Sequence, residues 1–281
     1  MTQVRAGKLW VVATPIGNLD DLSPRAQSIL RGADLIAAED TRHSMALLQH
    51  YGITARRVAL HEHNERDVCA DLVQRMRDGA DIALISDAGT PLISDPGFRL
   101  VRAAREAGVA VSPAPGPCAA IAALSVAGLP TDRFTFEGFL PAKSGARRAH
   151  LQTLRNATRT LIFYESSHRI IEALDDLAAV FGGDRQAVLA RELPKLFETV
   201  LDGTLAELVA RVKEDANQQR GEFVVIVAGA GDEAEAARLA EGRRVFELLR
   251  RELPPGRAAK LAAEISGAPR NRLYDSGAGD G

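Results

Sequence analysis

The chain has 281 residues, 46% of them hydrophobic and 26% charged, with a formal net charge of −2. That length and balance predict two domains plus something small, with no window near the roughly 18 continuous apolar residues of a membrane span, and the near-neutral charge argues against a protein that coats nucleic acid indiscriminately. The opening Met1-Thr-Gln-Val-Arg-Ala-Gly-Lys8 lacks the apolar stretch of a secretory signal, and Cys69 and Cys118 fit neither a disulfide framework nor a zinc ribbon, so the cytoplasm is the expected location.

In chain order, strand-like stretches at 9–13, 35–38, 58–60, 82–86 and 109–112 alternate with helix-like ones at 23–31, 44–51, 67–78 and 97–107, and a further helix is expected at 119–124. This rhythm predicts an α/β fold with a mostly parallel sheet and helices on both faces. Ser23-Pro24 and Asp67 look like helix starts, and Gly32, Gly52, Gly79 and Gly108 sit where helix C-caps belong. From 128 to 148 the texture changes to Pro, Thr, aromatic residues and the basic cluster Lys143-Ser-Gly-Ala-Arg-Arg148, which places a domain junction there. Strands at 160–164, 187–191, 198–201 and 223–228 with helices at 168–180 and 205–212 then give an α+β pattern. Helices at 232–251, 254–266 and 270–274 follow, broken by Pro254-Pro255 and Gly267. The expected division is a first α/β domain at 1–132, a second at 133–231, a small basic helical module at 232–275 and a disordered tail at 276–281. Between Arg238 and Arg272 nine basic residues stand against four glutamates, a local charge of +5. Two readings are open: a solvated helix face of Glu/Arg pairs, or a phosphate-facing surface.

Three strand ends run into loops of small residues, glycines and prolines: Thr14-Pro-Ile-Gly-Asn18, Ser86-Asp-Ala-Gly-Thr-Pro-Leu-Ile-Ser-Asp-Pro-Gly97 and Pro113-Ala-Pro-Gly-Pro-Cys118. Such loops let backbone groups approach a ligand, while the aspartates add negative charge, which suits a small, polar, partly cationic cofactor. Loops at the carboxyl ends of neighbouring strands imply one shared pocket. Gly229-Ala-Gly-Asp-Glu-Ala234 imitates a dinucleotide fingerprint, but a helix and a double proline follow it in place of a βαβ unit.

Those loops, with Ala37-Ala-Glu-Asp-Thr-Arg42, His61-Glu-His-Asn-Glu65, Phe163-Tyr-Glu-Ser166, His168-Arg169, Ala190-Arg-Glu-Leu193 and Lys195, resemble the ribosomal RNA small subunit methyltransferase I family over about residues 9–230. The resemblance implies the tetrapyrrole-methylase fold: two α/β domains with a cofactor cleft between them, plus a helix-turn-helix-like module. It implies S-adenosylmethionine as methyl donor, 2′-O-methylation of a cytidine ribose in small-subunit (16S) rRNA, free or within the 30S subunit, and a homodimer. The cofactor positions carried over are Pro15, Ile16, Gly17, Asp87, Ala88, Gly89, Ile93, Cys118, Ala119, Tyr164 and Leu193. Cys118 replaces a serine frequent in the family, which removes a hydroxyl hydrogen bond but leaves a backbone contact.

A ribose hydroxyl is a poor nucleophile, so acids, bases or cations outside the cofactor loops are needed to orient it or to share its proton. The candidates for catalysis are Glu39, Arg42, Glu65, Glu165 and Lys195. For RNA they are Arg42, His61, Asn64, His168, Arg169, Arg191 and Lys195, because folded cores rarely place so many cations at strand ends. Plainer roles compete: Glu39-Asp40 as a helix N-cap, His168-Arg169 as a helix start, and His61, Glu62, His63 and Glu65 as a metal cluster that lacks metalloprotease spacing. Two other function classes remain, a tetrapyrrole or diphthine-type methylase and a nucleic-acid-binding regulator using the C-terminal helices. The first would need an aromatic-lined cleft in a chain only 5% aromatic, and the second would not need three cofactor loops.

Overall fold

Five short strands, three of them almost wholly apolar, lie parallel because a helix after each returns the chain to the same edge. The computed structural model describes residues 7–61 and 63–273, with the backbone alone for 232–237. Its first half alternates β1 (Lys8–Val12), α1 (Pro24–Gly32), β2 (Leu35–Ala38), α2 (His43–His50), β3 (Arg56–Ala59), α3 (Glu65–Arg77), β4 (Ile82–Ile85), α4 (Phe98–Glu106) and β5 (Ala110–Ala114). The strands are parallel in the order β3-β2-β4-β1-β5. Leu30 of α1 and Leu48 of α2 cover one face with Ile36 and Ile85, and Leu72, Met76 and Leu100 of α3 and α4 cover the other with Leu9 and Leu84. Ser23 caps α1 through Ala26 N at 3.1 Å, with Pro24 as the first helical residue. Gly32, expected as a C-cap, is instead the last residue of α1.

The second half continues with α5 (Ala119–Val126), β6 (Phe134–Phe139), α6 (Ser144–Leu154), β7 (Thr160–Ser166), α7 (Ile170–Phe181), β8 (Gln186–Arg191), β9 (Thr199–Thr204), α8 (Leu205–Glu214) and β10 (Glu222–Val227). These strands form a mixed sheet, β6-β7-β10-β8-β9, in which only β6 and β7 are parallel. Period-two alternation assigns its faces: Leu161, Phe163, Val225 and Val227 join the core under α6, α7 and α8, while Ile162, Val224 and Ile226 pack on α5. Helix α5 therefore follows the first sheet in sequence but buries Ala120, Ala123 and Leu124 against the second.

The stretch expected to be a junction holds β6 and the start of α6. A bulge between Phe136 and Gly138, with Gly138 at φ +67, breaks the alternation of β6 and hides it as a strand. The basic cluster opens α6 rather than lying on a linker surface: Arg147 is fully buried, with Nε 2.7 Å from Asp176 Oδ2 of α7.

At the C-terminus, α9 (Asp232–Leu249) and α10 (Pro255–Ser266) share a core of Val245, Phe246, Ala258, Ala259 and Ala262 with Leu273 of a short 3-10 turn. Arg244, Arg250 and Lys260 pair with Glu241, Glu247 and Glu264 along these helices, and Arg238 donates to Asn156 O. Part of the basic excess is thus the solvated-pair face. At Gly229 a Cβ would lie 2.2 Å from Thr158 O, so that glycine serves close backbone packing. The tail at 276–281, Tyr274 and Glu62 lie outside the described residues.

Candidate active site

The loops leaving β1, β4 and β5 face the second sheet across a cavity of about 440 Å³. The first wall carries Ile16, Ala88, Gly89, Ile93, Cys118 and Ala119, and the second carries Tyr164 and Leu193 with Ala190 and Val224. Pro15, Gly17 and Asp87 line instead a second cleft between the loops leaving β1 and β4, together with Arg42 and His43.

Short hydrogen bonds hold the first wall. Buried Thr14 exchanges backbone bonds with Gly89 at 2.8 and 3.1 Å, and Thr90 Oγ1 donates to Pro117 O at 2.8 Å, tying the three loops together. Gly89 has φ +79, and a Cβ there would stand 3.2 Å from Ile16 Cγ2, so backbone forms the wall at this point. Leu92 and Ser94 take left-handed φ values of 74 and 66, unusual for residues with side chains, and leave Ile93 between them 37% exposed on the cleft wall. Gly17 approaches the second half so closely that a Cβ would meet Lys195 Cγ at 2.4 Å.

Three ionisable groups in the cavity have distinct surroundings. Burial pushes the Tyr164 phenol well up, so it stays neutral; its oxygen accepts Ala120 N at 3.0 Å, and Phe136 and Phe139 meet the ring edge-on. Burial raises the Asp95 carboxyl to about 6 against a hydrogen bond from Ser86, and the nearby Asp87 charge adds to the rise. Glu165 is buried, receives Ser166 N at 2.8 Å and Arg169 Nη2 at 2.7 Å on Oε1, and has no hydrogen-bond partner on Oε2.

Several predicted site residues have other work. Glu65 accepts Arg99 N at 2.8 Å and Leu100 N at 3.3 Å, so it caps α4 rather than facing the cleft. Lys195 Nζ lies 2.9 Å from both Glu192 and Glu222; burial opposes its charge, but these two carboxylates outweigh it and raise its pKa, which suits an ion-pair cation and not a proton acceptor. Asn64 stitches the turn before α3 by accepting His61 N and donating to Ala59 O, both at 2.9 Å. Arg191 is buried and donates to Phe197 O at 2.8 Å, and Arg169 spans Glu165 and Leu140 O. The expected four-cation RNA grip is therefore not a set of projecting charges. Arg42 does project, 87% exposed and paired with Asp40 at 3.3 Å, and His168 stands at the cleft rim. Glu39, half-buried beyond β2, lines neither cleft. Asp95, Phe139 and Glu222 line the main cavity without having been singled out. Asp95 lay inside a quoted loop, whereas Phe139 sits on the strand the bulge concealed.

Two α/β sheets facing each other across a cleft, with a helical module after them, are the architecture of the tetrapyrrole methylases, and the family matches place this chain among those methyltransferases. The profile of the Tetrapyrrole (Corrin/Porphyrin) Methylases matches residues 8–209, and that of the RsmI C-terminal HTH domain matches 236–277. The solved structure of cobalt precorrin-4 methyltransferase, a cobalamin biosynthetic enzyme, shares the fold at a TM-score of 0.59 and 15% identity, covering 81% of this chain and 97% of that one. Proteins called ribosomal RNA small subunit methyltransferase I are 63% identical over 268 residues in Xylella fastidiosa and 60% over 270 in Pseudomonas aeruginosa, covering 95% and 96% of this chain and 98% and 96% of theirs. The chain belongs to the ribosomal RNA small subunit methyltransferase I family.

Proposed function

We propose that this chain binds S-adenosylmethionine in the main cleft and methylates the 2′-hydroxyl of a cytidine ribose in 16S rRNA, free or within the 30S subunit, in the cytoplasm. The observation that carries the reading is the cleft itself, where eight of the carried-over cofactor positions converge from two separate sheets. The residues suit such a donor: an apolar slot between Ile16, Ala190 and Val224, a glycine wall at Gly89 and, on Asp95, a carboxylate with no cation beside it among the described residues. The donor supplies a methyl group on a positively charged sulfur, and transfer breaks that carbon–sulfur bond, forms a carbon–oxygen bond and releases the hydroxyl proton. The protein's part is to hold the reacting atoms in line and exclude water, which the two-sided cleft favours.

Arg42 beside Asp87, Pro15 and Gly17 in the second cleft is the cation best placed to meet RNA phosphates. The active unit is proposed to be a homodimer, supported by Leu196 and Phe197, which are 89% and 67% exposed. Light scattering reporting a monomer at assay concentration would reject the dimer. Mapping ribose methylation on 16S rRNA from cells with and without the protein tests the activity. An unchanged cytidine pattern would reject it.

A further inference from the structure

The cleft contains two carboxylates in opposite electrostatic states. Arg169 at 2.7 Å balances the charge of Glu165, whose side chain is fully buried behind the cavity wall. Asp95 has no Lys, Arg or His within ion-pair distance among the described residues; the groups acting on it are the Ser86 hydroxyl and the like charge of Asp87. The other titratable groups of the cavity do not neutralise it: Tyr164 is uncharged, Glu222 is taken by Lys195, Cys118 adds no positive charge and His168 stands exposed at the rim. A half-buried carboxylate beside a second one is unfavourable alone and becomes favourable once a cation enters.

We propose that Asp95 supplies the charge by which the cleft distinguishes a sulfonium methyl donor from its neutral thioether product. Transfer of the methyl group removes the positive charge at sulfur, so the attraction present before reaction is absent after it, which favours exchange of product for fresh donor. This inference rests on the proposed use of S-adenosylmethionine.

Calorimetric titration of the full chain with S-adenosylmethionine and with S-adenosylhomocysteine between pH 5 and 7 tests it. As Asp95 ionises with rising pH, the preference for the sulfonium should grow by about ten-fold, the scale of one partly screened charge pair. Asp95→Asn should abolish that growth by weakening the sulfonium ligand about ten-fold and the thioether much less, while Glu165→Gln should weaken both alike. A flat preference in the unaltered protein, or equal loss of both ligands in Asp95→Asn, would overturn the proposal. Should Asp95→Asn fail to fold, the pH profile of the unaltered protein still decides. Failure of both ligands to bind the unaltered protein would instead remove the proposed donor itself.

Discussion

Replacing Asp176 by asparagine should cost about 3 kcal/mol of folding stability, at the lower end of the range for breaking a buried ion pair. The structure sets that magnitude. Arg147 is fully buried, its Nε is 2.7 Å from Asp176, and its Nη1 donates to Pro141 O at 3.3 Å and Ala142 O at 3.2 Å. The remaining acid near it, Glu172, is 69% exposed at 3.4 Å and is a weak substitute. An asparagine oxygen still accepts hydrogen bonds, which keeps the cost from rising further. Burial alone would raise the Asp176 carboxyl, but hydrogen bonds from Arg148, Arg147 and Ser144 outweigh it and hold it below its ordinary value. A depressed folded pKa contributes stability above the unfolded value of 3.8, lost as pH falls through the folded one. The gap between Asp176→Asn and the unaltered protein should therefore narrow below about pH 4. Urea unfolding followed by circular dichroism at several pH values reads both effects as midpoint shifts at constant slope. A loss under about 1 kcal/mol at pH 7, or a gap unchanged on acidification, would refute the assignment of Arg147 as a buried charge dependent on Asp176.

Gly89→Val should abolish donor binding in calorimetry while circular dichroism stays native, because the new side chain meets Ile16 and strains a φ of +79. RNA affinity should fall steeply with salt, and Arg42→Gln should weaken RNA binding and reduce the salt slope by about one without altering donor binding. Gly242→Val should unpack α9 from the C-terminal turn, since even a Cβ would stand 2.7–2.8 Å from Ala268, Leu273 and Ser266; kinetics should show a raised KM for RNA with kcat largely kept. Burial raises the Asp95 carboxyl to about 6 from its ordinary 3.8, so the folded state holds the extra proton and stability falls as pH rises between those values. Asp95→Asn should remove that slope and, in chemical unfolding at pH 8, be more stable than the unaltered protein by about 1–3 kcal/mol.

The parallel half was legible because β1, β2 and β4 are largely apolar runs and Ser23-Pro24 marks the start of α1; β3, which opens with the exposed Arg56 and Arg57, was legible only at its apolar end. The cofactor wall was legible for a related reason: glycines and prolines at strand ends mark where backbone must meet a ligand, and Gly89 does so. The charged residues were harder to read, because a charge in sequence does not reveal its partner. Lys195 and Arg191 look like projecting cations until β10 brings Glu222 beside the first and the following turn brings Phe197 O to the second. Glu65 stands in sequence two residues before the expected helix start at Asp67; the structure makes it the first residue of α3 and its partner the start of α4, thirty-four residues away. Strand β6 was hidden by one residue, Gly138, whose bulge shifts the register that periodicity relies on.

Outside the cleft, the buried charge of Arg147 is matched donor by donor to Asp176 and two carbonyls, and the result fixes the turn after β6, whose last residue, Phe139, reaches the cleft. Inside it, among the described residues, Asp95 has no cation beside it and the buried Oε2 of Glu165 has no hydrogen-bond partner. A carboxylate half-buried beside the like charge of Asp87 opposes folding, and an asparagine of nearly the same shape would not carry that cost. Buried polar atoms of Ser44, Gln218 and Arg243 also lack partners among the described residues, so what distinguishes Asp95 is its place on the cavity wall. On the proposed reading, the contacts of Arg147 fix the turn beside the cleft, and Asp95 on the cleft wall gains its missing cation when the sulfonium donor binds.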